Sequence, residues 1–287
     1  MPDDTSSTAN TYIIDIESAA ETASLIEQDK LFTRAMGGLL PEQPADRLAT
    51  MSCLLDLACG PGGWATNVAY EYPELDVMGV DINPTMTHYA SAVALSQGVK
   101  NASFEVMDIK KPLAFGTNTF DFVNARLMVG FMDRAAWSSV IVECLRILKP
   151  GGILRLTELE GVTSSSVALQ HLTGYLYQVL SQQGRTFSVD GRSFGLVHML
   201  GRLMQNAGFS QVERRAFTLD ASSRSDLYYS TRKDYEVAYT LLKPYLIQTG
   251  IVDEATFDAE YNTTFLDMMS DDFTSVTFGF TTWSVKP

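Results

Sequence analysis

The chain is poor in cysteine. Cys53, Cys59 and Cys144 are its three. An odd number without metal-ligand spacing excludes a disulfide framework and fits reduced thiols in a cytosol, with no metal expected. Long apolar runs are also missing. None approaches the roughly 18 residues a bilayer span needs, so no membrane partner is expected. The opening MPDDTSSTAN is polar and acidic, which excludes a signal peptide and reads as a flexible tail. Basic residues are scarce: 21 Lys and Arg stand against 34 Asp and Glu, for a net charge of −13. That balance argues against nucleic acid and anionic membrane as partners, since both require basic patches. No Pro/Gly/Ser-rich linker splits the chain, and nothing repeats at a fixed period. Monomer and homodimer are equally open.

What is present, from about residue 50 to 160, is an alternation of strand-like and helix-like runs. CLLDLA, DVMGVD, ASFEVMD, FDFVNA and ILRLTELE read as strands. WATNVAYEY, PTMTHYASAVALSQG and AAWSSVIVECLRIL read as helices, and Pro84 near one start with Gly98 at its end is the usual asymmetry. The alternation implies an α/β fold, a doubly wound, mostly parallel sheet with helices on both faces. Around it the chain divides into a tail (1–10), an N-terminal helical cap segment (11–48), a core (49–160) and a helical cap insertion (161–194). A core helix and strand (195–220), a second helical insertion (221–272) and a final core strand (273–287) follow.

In such a sheet ligands bind beyond the carboxyl ends of the strands. Here those ends carry Asp56, Asp81, Asp108 and the Asn124–Arg126 run, and LLDLACGPGGWA places a glycine turn after the first strand. Two ligands compete for it. Gly60-x-Gly62-x-x-Ala65, with Asp81 about 20 residues on, fits a dinucleotide fingerprint. Against that, Pro61 has no N–H for a pyrophosphate, and Asp56 is a poor neighbour for phosphates. S-adenosylmethionine (SAM) has no phosphate and carries net positive charge, which acidic strand ends suit. Asp81 would accept both ribose hydroxyls and Asp108 the adenine amino group.

LLDLACGPGGWA, VMGVDINPTM, FEVMDI, FDFVNARLMVGFM and LRILKPGGILRLTE, in that order, resemble the class I SAM-dependent methyltransferases. The resemblance covers about residues 50–160, and NAGF at 206–209 matches the family's tail. It implies a Rossmann-like seven-stranded sheet with the last strand antiparallel. It also implies that Gly60 and Gly62 line the cofactor, that Asp81 holds the ribose, and that Ile82, Asp108 and Ile109 surround the adenine. Asn124 would lie under the methionine portion. S-adenosylhomocysteine (SAH) would be the product. The flanks, YIIDIESAAETASLIEQDKLFTRAMGG and ARLMVGFM, are similar to a subgroup that includes fungal regulators of secondary metabolism. In that subgroup an N-terminal helix often closes over the cofactor, which makes Tyr12, Gln28 and Arg34 candidates for contact.

Each remaining candidate has a plainer reading beside it. Arg126 suits the SAM carboxylate or a substrate anion, or a salt bridge to an acid such as Glu158. Met86 and Trp64 read as packing residues that touch the adenosine. A base near neutral pH would be a histidine; His171 leads, because His88 follows Asp81 on a helix turned away and His198 sits in a later amphipathic helix. Glu160, at a strand end, could orient an acceptor hydroxyl or amine, or cap a loop. Tyr175, Phe194, Tyr229 and Tyr235 suggest an apolar or aromatic acceptor, or form the cap's own core. The expectation is a cytoplasmic methyltransferase acting on a small acceptor in specialised metabolism. The alternatives are a non-catalytic SAM-fold regulator and an NAD-linked oxidoreductase.

Overall fold

A computed structural model describes residues 19–287. The chain enters through helix α1 (Ala19–Met36) and a single turn, α2 (Ala45–Leu48). It then alternates: β1 (Cys53–Leu57), α3 (Gly63–Glu71), β2 (Asp76–Asp81), α4 (Pro84–Ser96), β3 (Ala102–Val106), β4 (Phe120–Arg126), α5 (Arg134–Ile147) and β5 (Leu148–Ser164). The helix starts are written in the sequence. Asn83 accepts from Thr85 N at 2.9 Å ahead of Pro84, and Asp133 accepts from Ala136 N at 2.9 Å, each satisfying a donor the helix leaves free.

The remaining elements are α6 (Val167–Gln182), α7 (Leu200–Ala207), β6 (Val212–Asp220), α8 (Tyr228–Gln248), α9 (Glu254–Met268) and β7 (Ser275–Val285). The seven strands form one sheet in the order β3-β2-β1-β4-β5-β7-β6, with β7 antiparallel to both neighbours. The order reverses between β1 and β4, the switch point that opens a crevice at the strand ends.

Leu55, Leu57 and Val123 bury one face of the sheet against Trp137, Ile141 and Leu200 of α5 and α7. Leu54, Val77 and Phe122 bury the other against Trp64 and Val68 of α3. A separate apolar cluster joins α6, α8 and α9 through Leu172, Tyr239, Leu246 and Phe257. α1 covers β6 through Leu31, Phe32 and Met36 against Phe217 and Leu219.

Three stretches depart from the helical expectation. Strand β5 runs on to Ser164, zipped to β7, so α6 begins only at Val167. Helix is expected up to residue 194 and again from Leu196, yet residues 183–199 carry none. Gly184, Gly191 and Gly195 adopt left-handed φ of 70°, 72° and 62° there. The Glu160 carboxylate also receives the Gly195 and Leu196 amides at 2.9 and 3.1 Å, which holds the chain in a loop. The expected helix across 224–270 is two helices, because Gly250 turns at φ 74° and Asp253 caps a new start.

Candidate active site

The glycine turn opens a cavity at the carboxyl ends of β1 to β4, roofed by α1. Gln28, Asp56, Gly60, Asp81, Ile82, Met86, Asp108, Ile109 and Arg126 all line it. Seven of these come from strand ends or the turns after them, as an open parallel sheet requires.

Asp81 ends β2. Its Oδ2 accepts from Gly60 N and its Oδ1 from Asn83 N, both at 2.9 Å. The Ile82 amide also turns to this carboxylate; with about four acceptor positions in all, it keeps capacity for a ligand hydroxyl. Burial raises Asp81 above the ordinary carboxylate range, opposed by those amides. Asp108 accepts from Lys110 N at 3.0 Å and lies 3.6 Å from Lys111 Nζ.

Asp56 is buried and begins a polar row across the sheet. Asn124 Nδ2 donates to Asp56 Oδ1 at 2.7 Å, and Arg155 Nη1 donates to Asn124 Oδ1 at 2.8 Å. The three are register partners on β1, β4 and β5, so their side chains share one face. Glu42 closes the row, 2.7 Å from Arg155 Nε, with both side chains out of solvent. Burial lifts the Asp56 carboxyl to about 6, with Arg126 and the Asn124 amide opposing. Burial also pushes the Arg155 guanidinium below its usual value, against the pull of Glu42.

The two glycines do different things. A Cβ on Gly60 would meet nothing within 4 Å, while one on Gly62 would sit 2.4 Å from Ala90 Cβ and 2.8 Å from the Phe104 ring. Gly60 therefore leaves room at the cavity, and Gly62, outside the lining, lets α3 close on α4 and β3. Arg126 donates to Asp29 of α1 at 2.7 Å and stacks over Trp64 at 5.2 Å. Its partner is Asp29 and not Glu158, whose carboxylate instead takes the amides of Met128 and Val129 at 2.7 and 3.3 Å. Burial raises Glu158 to about 8.

Other expected residues lie elsewhere. Asn124 is fully buried behind Asp56 and does not line the cavity. Arg34 faces Asp226 on the surface. Tyr12 falls outside the described residues. His171 is half exposed on α6, 2.8 Å from Glu260 of α9, because Leu169, Leu172 and Thr173 occupy the helix's inner face. Glu160 is buried and holds the 195–196 loop. Tyr229 is 80% exposed. Tyr175 packs into the cap cluster, Phe194 stacks edge-on with Tyr177 at 4.8 Å, and the Tyr235 hydroxyl meets Thr277 at 3.4 Å. None of these four lines the cavity.

Sequence reasoning missed Asp29, Glu42 and Arg155. Arg155 left a signal, a cation inside the apolar run ILRLTELE, where a buried charge requires a partner. Asp29 and Glu42 left none, because only the docking of the N-terminal segment brings them near.

Acidic strand ends around a glycine turn, on this topology, match the Rossmann-like fold that class I methyltransferases share. Residues 54–152 match the family model described as a methyltransferase domain. Methyltransferase cpsF of Aspergillus campestris is 28% identical over 198 residues, 68% of each chain. The secondary metabolism regulator laeA of Monascus pilosus is 26% identical over 168 residues, 56% of this chain and 41% of that one. Among solved structures, phosphoethanolamine N-methyltransferase 2 of Haemonchus contortus superposes with a TM-score of 0.56 at 18% identity, over 96% of this chain and 60% of that one. Along residues 54–152 this chain is similar to the SAM-dependent methyltransferases. Among the described residues no helix is long and apolar enough to cross a membrane, and no group of three or more His, Cys, Asp or Glu is placed to hold a metal ion.

Proposed function

We propose that the enzyme methylates a small, fairly apolar or aromatic molecule in specialised metabolism, with the methyl donor seated in the cavity under α1. One observation carries this reading. Asp56, Asp81 and Asp108 converge on a single cavity roofed by α1, while the neighbouring cap is built from Tyr, Leu and Phe. The likeness to cpsF and laeA supports the metabolic setting.

SAM, when bound, supplies a methyl group on a sulfonium. The residues fit it. Asp81 has acceptor capacity left for the ribose hydroxyls. Asp56 presents its second oxygen toward an ammonium, while Asn124 and Arg155 hold the first in place. Ile82, Met86 and Ile109 offer apolar walls to the adenine, with Asp108 at its edge. The Arg126–Asp29 pair ties α1 to the end of β4 over the cavity. Alignment of acceptor and donor in such a site contributes about 7–11 kcal/mol in well-oriented cases, and desolvation strengthens it.

The test is isothermal titration of the protein with SAH, with NADH run beside it. Micromolar binding of SAH and none of NADH is the expected result. Binding of NADH alone would overturn the reading in favour of hydride transfer. A regulator that keeps the site and lacks turnover is favoured only by the likeness to laeA. SAH binding without methylation of any small acceptor would select it.

A further inference from the structure

A second cavity lies on the face of the sheet turned away from α1. That helix packs on β6 through Phe217 and Leu219. Strand alternation sends the residues between and beside them the other way. Arg214, Ala216 and Thr218 of β6 pair in register with Thr282, Phe280 and Phe278 of β7, so the six share one face. It is only partly covered: Ala216 and Thr218 are exposed, and Phe278 is 39% exposed. This face and the 183–199 loop enclose about 540 Å³, within the range of about 300–1,000 Å³ for small-molecule sites. The cavity shares no lining residue with the donor cavity.

Phe187, Val189 and Val197 of the loop, with Phe278 and Phe280 of β7, give it apolar walls. Its two acids are already engaged. Glu160 receives the Gly195 and Leu196 amides. Asp190 accepts from Ser188 Oγ at 3.0 Å and from Arg192 N at 3.1 Å, with Arg192 Nε 4.0 Å away. Arg214 differs, because its guanidinium has no hydrogen bond or ion pair among the described residues. It is nevertheless seated. Gly201 of α7 lies against it, and a Cβ there would overlap the guanidinium. His198 stands exposed on the same rim and offers a ring N–H.

We propose that this cavity binds an aromatic carboxylate, with its carboxylate on Arg214 and His198 and its ring among Phe187, Phe278 and Phe280. The planar guanidinium matches a carboxylate in two parallel hydrogen bonds, which an ammonium does not reproduce. Offset or edge-on contact with the phenyl rings orients the aromatic part. The proposal goes beyond the methyltransferase reading and does not depend on it.

The test is titration calorimetry of the protein with 1-naphthoate, with 1-naphthol as the neutral control, each with and without saturating SAH. Naphthoate is expected to bind with a Kd on the order of 0.1 mM, and naphthol about tenfold more weakly. SAH should change neither, because the two cavities share no residue. Arg214→Met is expected to weaken naphthoate about tenfold and to keep naphthol and SAH within about twofold. Arg214→Lys should recover only part of the loss. Gly201→Ala keeps the charge and displaces it, and should weaken naphthoate about threefold. Equal naphthoate binding in wild type and Arg214→Met would overturn the inference. So would competition between naphthoate and SAH, or no naphthoate binding at all. A dimer that seals the cavity, seen by sedimentation and lost in Arg214→Met, would overturn it in favour of a second copy of the chain. Failure of SAH to bind would overturn the donor reading alone, since the naphthoate titrations stand without it.

Discussion

Arg126 at the end of β4 and Asp29 in the middle of α1 meet at 2.7 Å, with both side chains about nine-tenths buried (12% and 13% exposed). The pair ties the N-terminal helix to the sheet directly above the glycine turn. The fit is close, since a Cβ on Gly63 would stand 2.5 Å from Asp29 Oδ2. A double-mutant cycle of Asp29→Asn and Arg126→Met in SAH binding is expected to show coupling of about 1–3 kcal/mol. Strictly additive losses would mean that the helix is held by its apolar face alone.

Asp81→Ala is expected to weaken SAH binding by about 1.5–3 kcal/mol, the scale for hydrogen bonds to a charged group, with the circular dichroism spectrum unchanged. Calorimetry checks it, and unchanged affinity would remove the ribose assignment.

The two glycines separate binding from folding. Gly60→Ala should lower SAH affinity, because its Cβ enters open space at the cavity. Gly62→Ala should lower the melting temperature, because its Cβ overlaps Ala90 and Phe104. Each also forces alanine to a positive φ (54° and 74°), at about 1–2 kcal/mol. Thermal unfolding and titration of both variants give the contrast.

Asp56 sets a pH dependence. Its folded value of about 6 lies above the ordinary 3.8, so the free folded protein holds that proton more tightly than the unfolded chain does. Its contribution to stability therefore falls as pH rises through this window. Binding of a cationic ammonium runs the other way, since it needs the carboxylate. SAH affinity should drop as pH falls below about 6, by up to about tenfold per unit. In Asp56→Asn it should be weak and flat with pH. Titrations across the window decide.

Glu42 and Arg155 are both sealed from solvent. Glu42→Ala strands a buried guanidinium and should cost about 3–5 kcal/mol in urea unfolding. Replacing both by apolar residues of similar volume should restore much of that loss.

The sheet and the acids at its strand ends were legible because they are local. A strand, a turn and an acid follow one another in the chain, and their order is set by spacing. Asp56, Asp81 and Asp108 follow that rule. The roof of the site was less legible. Gln28 carried a signal through resemblance, yet Asp29 and Glu42 acquire their meaning only when residues about 100 positions away fold beneath them. The histidine search misled for a related reason. His171 has the right chemistry, but its helix turns Leu169 and Leu172 inward and leaves the imidazole facing Glu260.

Strand β7 is synthesised after β6 yet lies between β5 and β6. On the ribosome, β6 emerges with no neighbour to pair with, and must wait while α8 and α9 are made, some 55 residues, or several seconds at about 5–20 residues per second. Helix α1 waits longer, since β6, which it covers, is made long after it. The methyl-donor site is therefore among the last features of the nascent chain to become complete. Until then the edge of β5 is an open template that another chain could pair with, and its exposure ends only when β7 slides into place.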